Sequence, residues 1–451
     1  MKKVILGVSA LLLGTMTFAQ VSPIETKSDV IQRGDGNEST VSQEGMKRII
    51  SKVEQDGNKN SSVVSQDAEK NIKSKVKQTG YNNASDIDQS GAGNRIWVNQ
   101  KSLAEEGPTL LAISEVGSDD VAGNSSAIDQ GGKENYIDVW QRGKKNESAI
   151  VQDGEENLID FVQMGKKNES TIDQDGEVSD IVVAQIGEEN ESKIDQDGEL
   201  NGIVVLQRGK ENESDINQND KDNYSDVWQR GKKNESDIDQ DGVENEIFVW
   251  QRGKKNESYI DQYGELNYID VWQRGKKNES VIDQKDMKNK IVVHQLSDVN
   301  YSSIVQAGQD NKTIVKQKGG DENKSWVNQK GDNLLLKVSQ NGDKNRSRVK
   351  QRGNGSMAYV TQKGTGNYAK VDQGCGAHIS TGVQIGRRNM STVTQYGAGS
   401  GISNVHQDGN RNMSTVTQYG AGSGISNVHQ NGNRNMSTVT QHSLGSIMQP
   451  L

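Results

Sequence analysis

The sequence has one cysteine (Cys375), three prolines (Pro23, Pro108 and Pro450), three phenylalanines and only 4% aromatic residues. A single thiol excludes an intrachain disulfide framework. Hydrophobic residues make up only 31% of the 451 positions, too few for the conventional large cores that pack a chain of this length. Low apolar content with 25% charged residues also occurs in disordered chains, but those are proline-rich. Beyond the N-terminus no apolar run approaches the ~18 residues of a membrane-spanning helix. The net charge of −9 argues against bulk electrostatic binding of nucleic acid. There is no His-Glu-x-x-His, cysteine pair or nucleophile elbow. The five histidines (His294, His378, His406, His429, His442) form no catalytic pattern, so neither enzyme activity nor a cofactor is expected.

Residues 1–19 read as a secretory signal peptide. Lys2 and Lys3 precede an apolar stretch from Val4 to Leu13, and Thr17-Phe18-Ala19 supplies the small residues of a cleavage site. The expectation is a secreted protein beginning at Gln20.

What is present is a repeat of eleven residues. From Gln130 to Gln317, and again from Gln329 to Gln395, a glutamine falls at every eleventh position. Each unit reads Asn-x-Ser/Ile-x-Ile/Val-x-Gln-x-Gly-x-x. Seven residues alternating with period two predict a strand, and the glycine-containing tetrad predicts a turn. Counting a degenerate unit with Glu115 in place of glutamine gives 37 units, and the position two before Gln is Val or Ile in 35 of them. Asn, Ser/Ile, Ile/Val and Gln share one parity and are expected to face inward. The expected core ladder is Gln141, Gln152, Gln163, Gln174, Gln196, Gln207, Gln229, Gln240, Gln251, Gln262 and Gln273. Asn146, Asn157 and Asn168 join it, with Ile150, Ile172, Ile194, Val227, Ile238, Val249, Ile260 and Val271.

Neighbouring units alternate between an Asn-Glu-Ser type (Asn146–Gln152) and a Tyr-Ile-Asp-Val-Trp type (Asn135–Gln141), so the true period is 22. The predicted fold is an all-β solenoid of about 18 amyloid-like strand-turn-strand-turn coils, with two stacked parallel sheets and identical positions ~4.8 Å apart. The chain divides into the signal peptide, a mature segment 20–28, repeats 29–100, a degenerate repeat with insertions 101–123, repeats 124–441 and a tail 442–451.

The pattern Ser-x5-Gln-x-Gly-x-x-Asn-x5-Gln, at about 22 residues, resembles the curlin repeat, with Gly154, Asn157 and Gln163 matching in order. The leading serine falls elsewhere: Asn146 occupies that position and Ser148 lies four before Gln152. The resemblance implies a subunit of curli, the extracellular amyloid fibres that build biofilm matrix and mediate adhesion and cell aggregation in Gram-negative bacteria. Its implied partners are further copies of itself, a nucleator subunit, an outer-membrane secretion pore, and abiotic or cell surfaces. The chain departs from the family in its length and its heavier charge. A monomeric solenoid adhesin or ligand-binding rod is the alternative, as is a fibre nucleator.

Outside the core, turns such as Arg142-Gly-Lys-Lys145 and Arg230-Gly-Lys-Lys233 are basic, whereas Asp153-Gly-Glu-Glu156 and Asp175-Gly-Glu-Val178 are acidic. Charge is thus sorted by edge. Asp173, Asp195, Asp239, Asp261 and Asp283 precede their glutamines and form an outward column, a candidate Ca²⁺ site because its oxygens need a counter-charge. The Asn-Glu-Ser sequons, as at Asn146 and Asn168, read as strand starts rather than glycosylation sites. Cys375 reads as a surface thiol in a turn.

Overall fold

The computed structural model describes residues 26–45, 48–102, 123–422 and 424–443; the expected signal peptide lies outside them. Alternation with β-branched residues at every second position produces strands throughout, 36 in all, and no helix occurs among the described residues. Two compact units divide between Lys221 and Asp222. The first runs from β1 (Thr26–Arg33) to β16 (Glu213–Gln218) and has eight coils of two strands each. The second runs from β17 (Tyr224–Lys232) to β36 (Met436–Ser443) and has ten. Each unit is a β-solenoid.

Within a unit, a strand pairs in parallel with the strand two further on, never with its sequence neighbour. In the first unit β10 (Glu147–Glu155) pairs with β12 (Glu169–Glu177), placing Gln152 opposite Gln174 and Ile150 opposite Ile172. On the other side β9 (Tyr136–Lys144) pairs with β11 (Leu158–Lys166), with Gln141 opposite Gln163. The second unit repeats this: β18 (Glu235–Val243) lies on β20 (Glu257–Glu265), and β19 (Glu246–Lys254) on β21 (Tyr268–Lys276). Odd strands make one sheet and even strands the other. Where a turn gains a residue the register is kept: Gln395 still lies opposite Gln418, 23 residues away. Register is this strict because a one-residue slip would turn the whole apolar set to solvent.

Residues 103–122, containing the expected unit at Glu115, lie outside the described residues. The flanking strands nevertheless pair directly: β6 (Ala84–Ala92) lies on β8 (Ser125–Gln130), and β7 (Arg95–Ser102) on β9. Gln89 donates to Gln130, and Gln100 to Gln141, across 41 residues.

The turns explain the glycines. In Arg252-Gly253-Lys254-Lys255 the glycine has φ +134°, and a Cβ there would overlap the carbonyl oxygen of Gly275 in the next coil. The last residue of the tetrad is left-handed without being glycine: Lys145, Glu156, Leu200 and Lys255 have φ of 55–58°. Such residues cost roughly 1–2 kcal/mol. Backbone bonds between coils offset this, as where Glu189 N donates to the Lys166 carbonyl at 2.9 Å. Gly231→Ala and Gly253→Ala should therefore each lower the denaturant midpoint clearly. Lys255→Asn, which tolerates the left-handed conformation, should hold or raise it. Equal losses from all three would contradict this account of the turns.

Candidate functional site

The surface between the two sheets is an amide ladder, and every expected core residue lies in it. The eleven glutamines and three asparagines named above are no more than 2% exposed, and the eight Ile and Val residues no more than 1%. Outward residues such as Glu147, Asp173 and Lys193 are exposed and Trp140 is half-buried.

Within each unit, glutamine Nε2 groups donate to the Oε1 of the glutamine one coil later. The distances are 2.8 Å for Gln141 to Gln163, Gln152 to Gln174 and Gln174 to Gln196, and 2.9 Å for Gln240 to Gln262 and Gln251 to Gln273. Glutamines of the odd sheet use their second N–H to tie the facing sheet. Gln163 reaches the Glu147 carbonyl at 2.9 Å, and Gln273 the Glu257 carbonyl at 2.8 Å. The asparagines point the other way. Asn168 Nδ2 donates back to Asn146 Oδ1 at 3.0 Å, and Asn190 to Asn168 at 2.9 Å. Asn157 instead closes the preceding turn, donating to the Asp153 carbonyl at 2.7 Å and to the Gly176 carbonyl at 2.8 Å. The glutamine ladder is therefore polar along its axis, whereas asparagine Nδ2 groups donate both back to the preceding asparagine and forward to a glycine carbonyl of the next coil, as Asn168 does to Gly187 at 3.1 Å.

Between the amides, buried serine hydroxyls such as those of Ser258 and Ser280 have no hydrogen-bond partner. Small size, leaving room for the facing glutamine, accounts for serine at this position. Asn146 and Ser148 are 0% and 5% exposed, so the sequon there is inaccessible. His378 occupies an asparagine position. It is 3% exposed, its Nδ1 accepts from Gly401 N at 3.0 Å, and its Nε2 lies 2.7 Å from the Cys375 carbonyl. Its place six residues before Gln384 matched the repeat and could have identified it. Cys375 is a free, exposed thiol.

On the outer face, like groups stack coil upon coil. At ~4.8 Å, two charges repel by about 0.9 kcal/mol in water and more beside a low-dielectric wall. Burial first, then Asp195 and Asp175, push the Asp173 carboxyl above its ordinary value; burial, then Asp239 and Asp283, do the same to Asp261. Relief comes from neighbours. Tyr263 donates its hydroxyl to Asp239 at 2.9 Å, and that bond, with burial, pushes the phenol up to about 12. Lys285 Nζ lies 3.5 Å from Asp283. The five Ca²⁺ candidates lie in single file in two sets. Among the described residues no group of three or more acidic, histidine or cysteine side chains is placed to hold a metal ion. The odd sheet carries aromatics outside: Trp228 and Trp250 stack at 5.0 Å, and Trp250 meets Trp272 edge-on at 5.8 Å. Half-buried Asp226 in the same sheet is pushed up to about 6 by burial, opposed by a hydrogen bond from Trp228. This half-buried aspartate was not singled out from the sequence.

Residues 331–364 match the family model of the curlin associated repeat. That segment is similar to a curlin associated repeat. The matched segment spans β27 (Leu335–Asn341), β28 (Arg346–Arg352) and the larger part of β29 (Met357–Thr365). Its inward Gln340, Gln351 and Gln362 belong to the same ladders: Gln340 donates to Gln362 at 2.8 Å and Gln351 to Gln373 at 2.9 Å. The search of curated proteins gives no match. The curlin repeat and the solenoid fold together fit a curli-like structural or adhesin protein.

Two outcomes test the ladder and its electrostatics. Gln240→Ala or Gln262→Ala leaves neighbouring amides unpaired and should cost roughly 1–3 kcal/mol each in denaturant titration, whereas Ser258→Ala and Ser280→Ala should be near neutral or stabilising. Serine losses matching the glutamine losses would contradict the inward assignment of bonding. The second test is pH. Burial raises Asp226, Asp173, Asp261, Asp129 and Asp138 in the folded state. Folding therefore favours the protonated form. This contribution is full below the unfolded value near ~4 and is lost as pH rises through the folded value, about 6 for Asp226. Glu54 and Glu189 shift downward through hydrogen bonds from Lys52 and Lys210, but these pairs are largely exposed and count for little. The denaturant midpoint should rise between pH 7 and about 4.5, and Asp226→Asn should flatten that rise. A midpoint that falls steadily with acid would contradict it.

Proposed function

We propose that this protein is a structural subunit of extracellular curli-like amyloid fibres, assembling by strand stacking. The supporting observation is the open, directional ladder. Among the described residues β1 pairs only with β3 (Ile49–Asn58), and β36 pairs only with β34 (Met413–Gly420). An unpaired strand edge is a template for another chain. Gln32 in β1 donates to Gln55 at 2.7 Å, so its Oε1 is directed away from that bond and can accept. Gln430 and Gln441 accept from Gln407 and Gln418 at 2.8 and 2.6 Å, so their Nε2 groups can donate onward. Acceptors in the first coil thus complement donors in the last, and stacking of copies continues both ladders in one direction.

The resemblance to curlins supports the rest of the reading: export, passage through an outer-membrane pore, growth from a nucleator at the bacterial surface, and roles in biofilm matrix, adhesion and cell aggregation. The identical Asn389–Gln395 and Asn412–Gln418 segments, each Asn-Met-Ser-Thr-Val-Thr-Gln, make the last coils the most competent for stacking.

Purified protein beginning at Gln20, held at micromolar concentration, should form unbranched fibres that bind thioflavin. Fibre diffraction should show a meridional reflection near ~4.8 Å. Protein that stays monomeric for days, or fibres without that reflection, would overturn the proposal in favour of a monomeric adhesin.

A further inference from the structure

An edge of the second unit is basic and an edge of the first is acidic. In the second unit, the turns that follow odd strands hold Arg230, Arg252 and Arg274, with Lys232, Lys254 and Lys276. Parallel in-register pairing puts Arg230 opposite Arg252 and Arg252 opposite Arg274. The three arginines make no ion pair among the described residues. In the first unit, the turns that follow even strands hold Asp153, Asp175 and Asp197, with Glu155, Glu177 and Glu199. These also stack like on like. Cations reach this stack at its two ends, where Lys133 meets Glu155 at 3.3 Å and Lys221 meets Glu199 at 3.0 Å. Asp175, Glu177 and Asp197 between them make no ion pair among the described residues.

The two kinds of edge cannot neutralise each other within a coil. A strand of about seven residues separates them, roughly 23 Å at the rise of a β-strand. That is about three Debye lengths at physiological ionic strength. Glu235, Glu257 and Glu279 sit beside the basic turns, but each offsets one of three positive charges in its coil.

We propose that the basic edge is a docking surface for the acidic edge of a second copy of this chain, laid side by side. This rests on the fibre reading and specifies how fibres bundle. Both edges repeat once per coil at the same ~4.8 Å interval, so the three basic turns of one copy match the three acidic turns of a second, charge for charge. The contact is electrostatic and exposed, so it sets lateral association without contributing to the dry core.

The test reads axial and lateral order separately on the full chain from Gln20. Thioflavin binding and diffraction report stacking, and bundle width in electron micrographs reports the lateral contact. Bundles should separate into single thioflavin-positive fibres near 1 M NaCl, where the Debye length is about 3 Å. The triple variant Arg230→Glu, Arg252→Glu, Arg274→Glu should lose bundling at low salt. So should Asp153→Lys, Asp175→Lys, Asp197→Lys. The two triples combined in one chain should restore it, because both edges are then reversed. Bundles of unchanged width in either triple variant would overturn the proposal. So would bundles that a chelator dissolves at low salt, since a bound divalent cation would then be the counter-charge. Absence of any fibre would sink the fibre reading alone. Low-salt association of the soluble chain, measured by sedimentation, then decides the edge contact: its loss in each triple and return in the combination support it, and monomers throughout overturn it.

Discussion

A glutamine amide buried between two sheets must find its hydrogen-bond partners inside the protein, and here it finds them in the next coil. An unpaired buried amide costs roughly 1–3 kcal/mol, so the ladder fixes the register of every strand against the strand two further on. That single requirement explains the 22-residue period, the invariant parity and the tolerance of one-residue turn insertions. It also explains how a chain with 31% hydrophobic residues builds a core. The space between the sheets is filled by aliphatic columns, such as Ile247 and Val249 of the odd sheet and Ile238 of the even one, flanked by amides and serines.

The remaining features follow from stacking identical coils. Backbone must approach backbone at the corners, which demands glycine where a Cβ would strike the next carbonyl. Residues after those glycines accept left-handed conformations because the neighbouring coil holds their N–H groups. Outside, stacking multiplies whatever lies at a position: aspartates become a column with raised carboxyls, and tryptophans become a stacked row. Each coil depends only on its neighbours, as in other solenoids, so nothing in the ladder itself sets a final coil. The glutamine ladder is directional, each Nε2 donating toward the later coil.

Much of this was legible because the signal is periodic. A single aliphatic position would have been ambiguous, but Ile150, Ile172 and Ile194 recurring two before a glutamine left one parity for the interior. The edge charges were equally plain, since Arg230, Arg252 and Arg274 recur at 22. The missed features are those where residue type and conformation part company. Nothing about Lys145 or Leu200 announces a left-handed backbone; inter-coil hydrogen bonds override local preference there. His378 is disguised by its residue type, and only its position in the repeat marks it as buried.

The central claim is that the glutamine side chains bond to one another in a dry interior. Hydrogen exchange of the side-chain amide protons, read by NMR on protein labelled at glutamine nitrogen, tests this directly. The account predicts that Nε2 protons of the buried glutamines, Gln152, Gln174 and Gln196 among them, exchange as slowly as the backbone amides of their strands. Side-chain protons exchanging at the rate of free glutamine, beside protected backbone, would mean that the strands stack without the ladder and would contradict it.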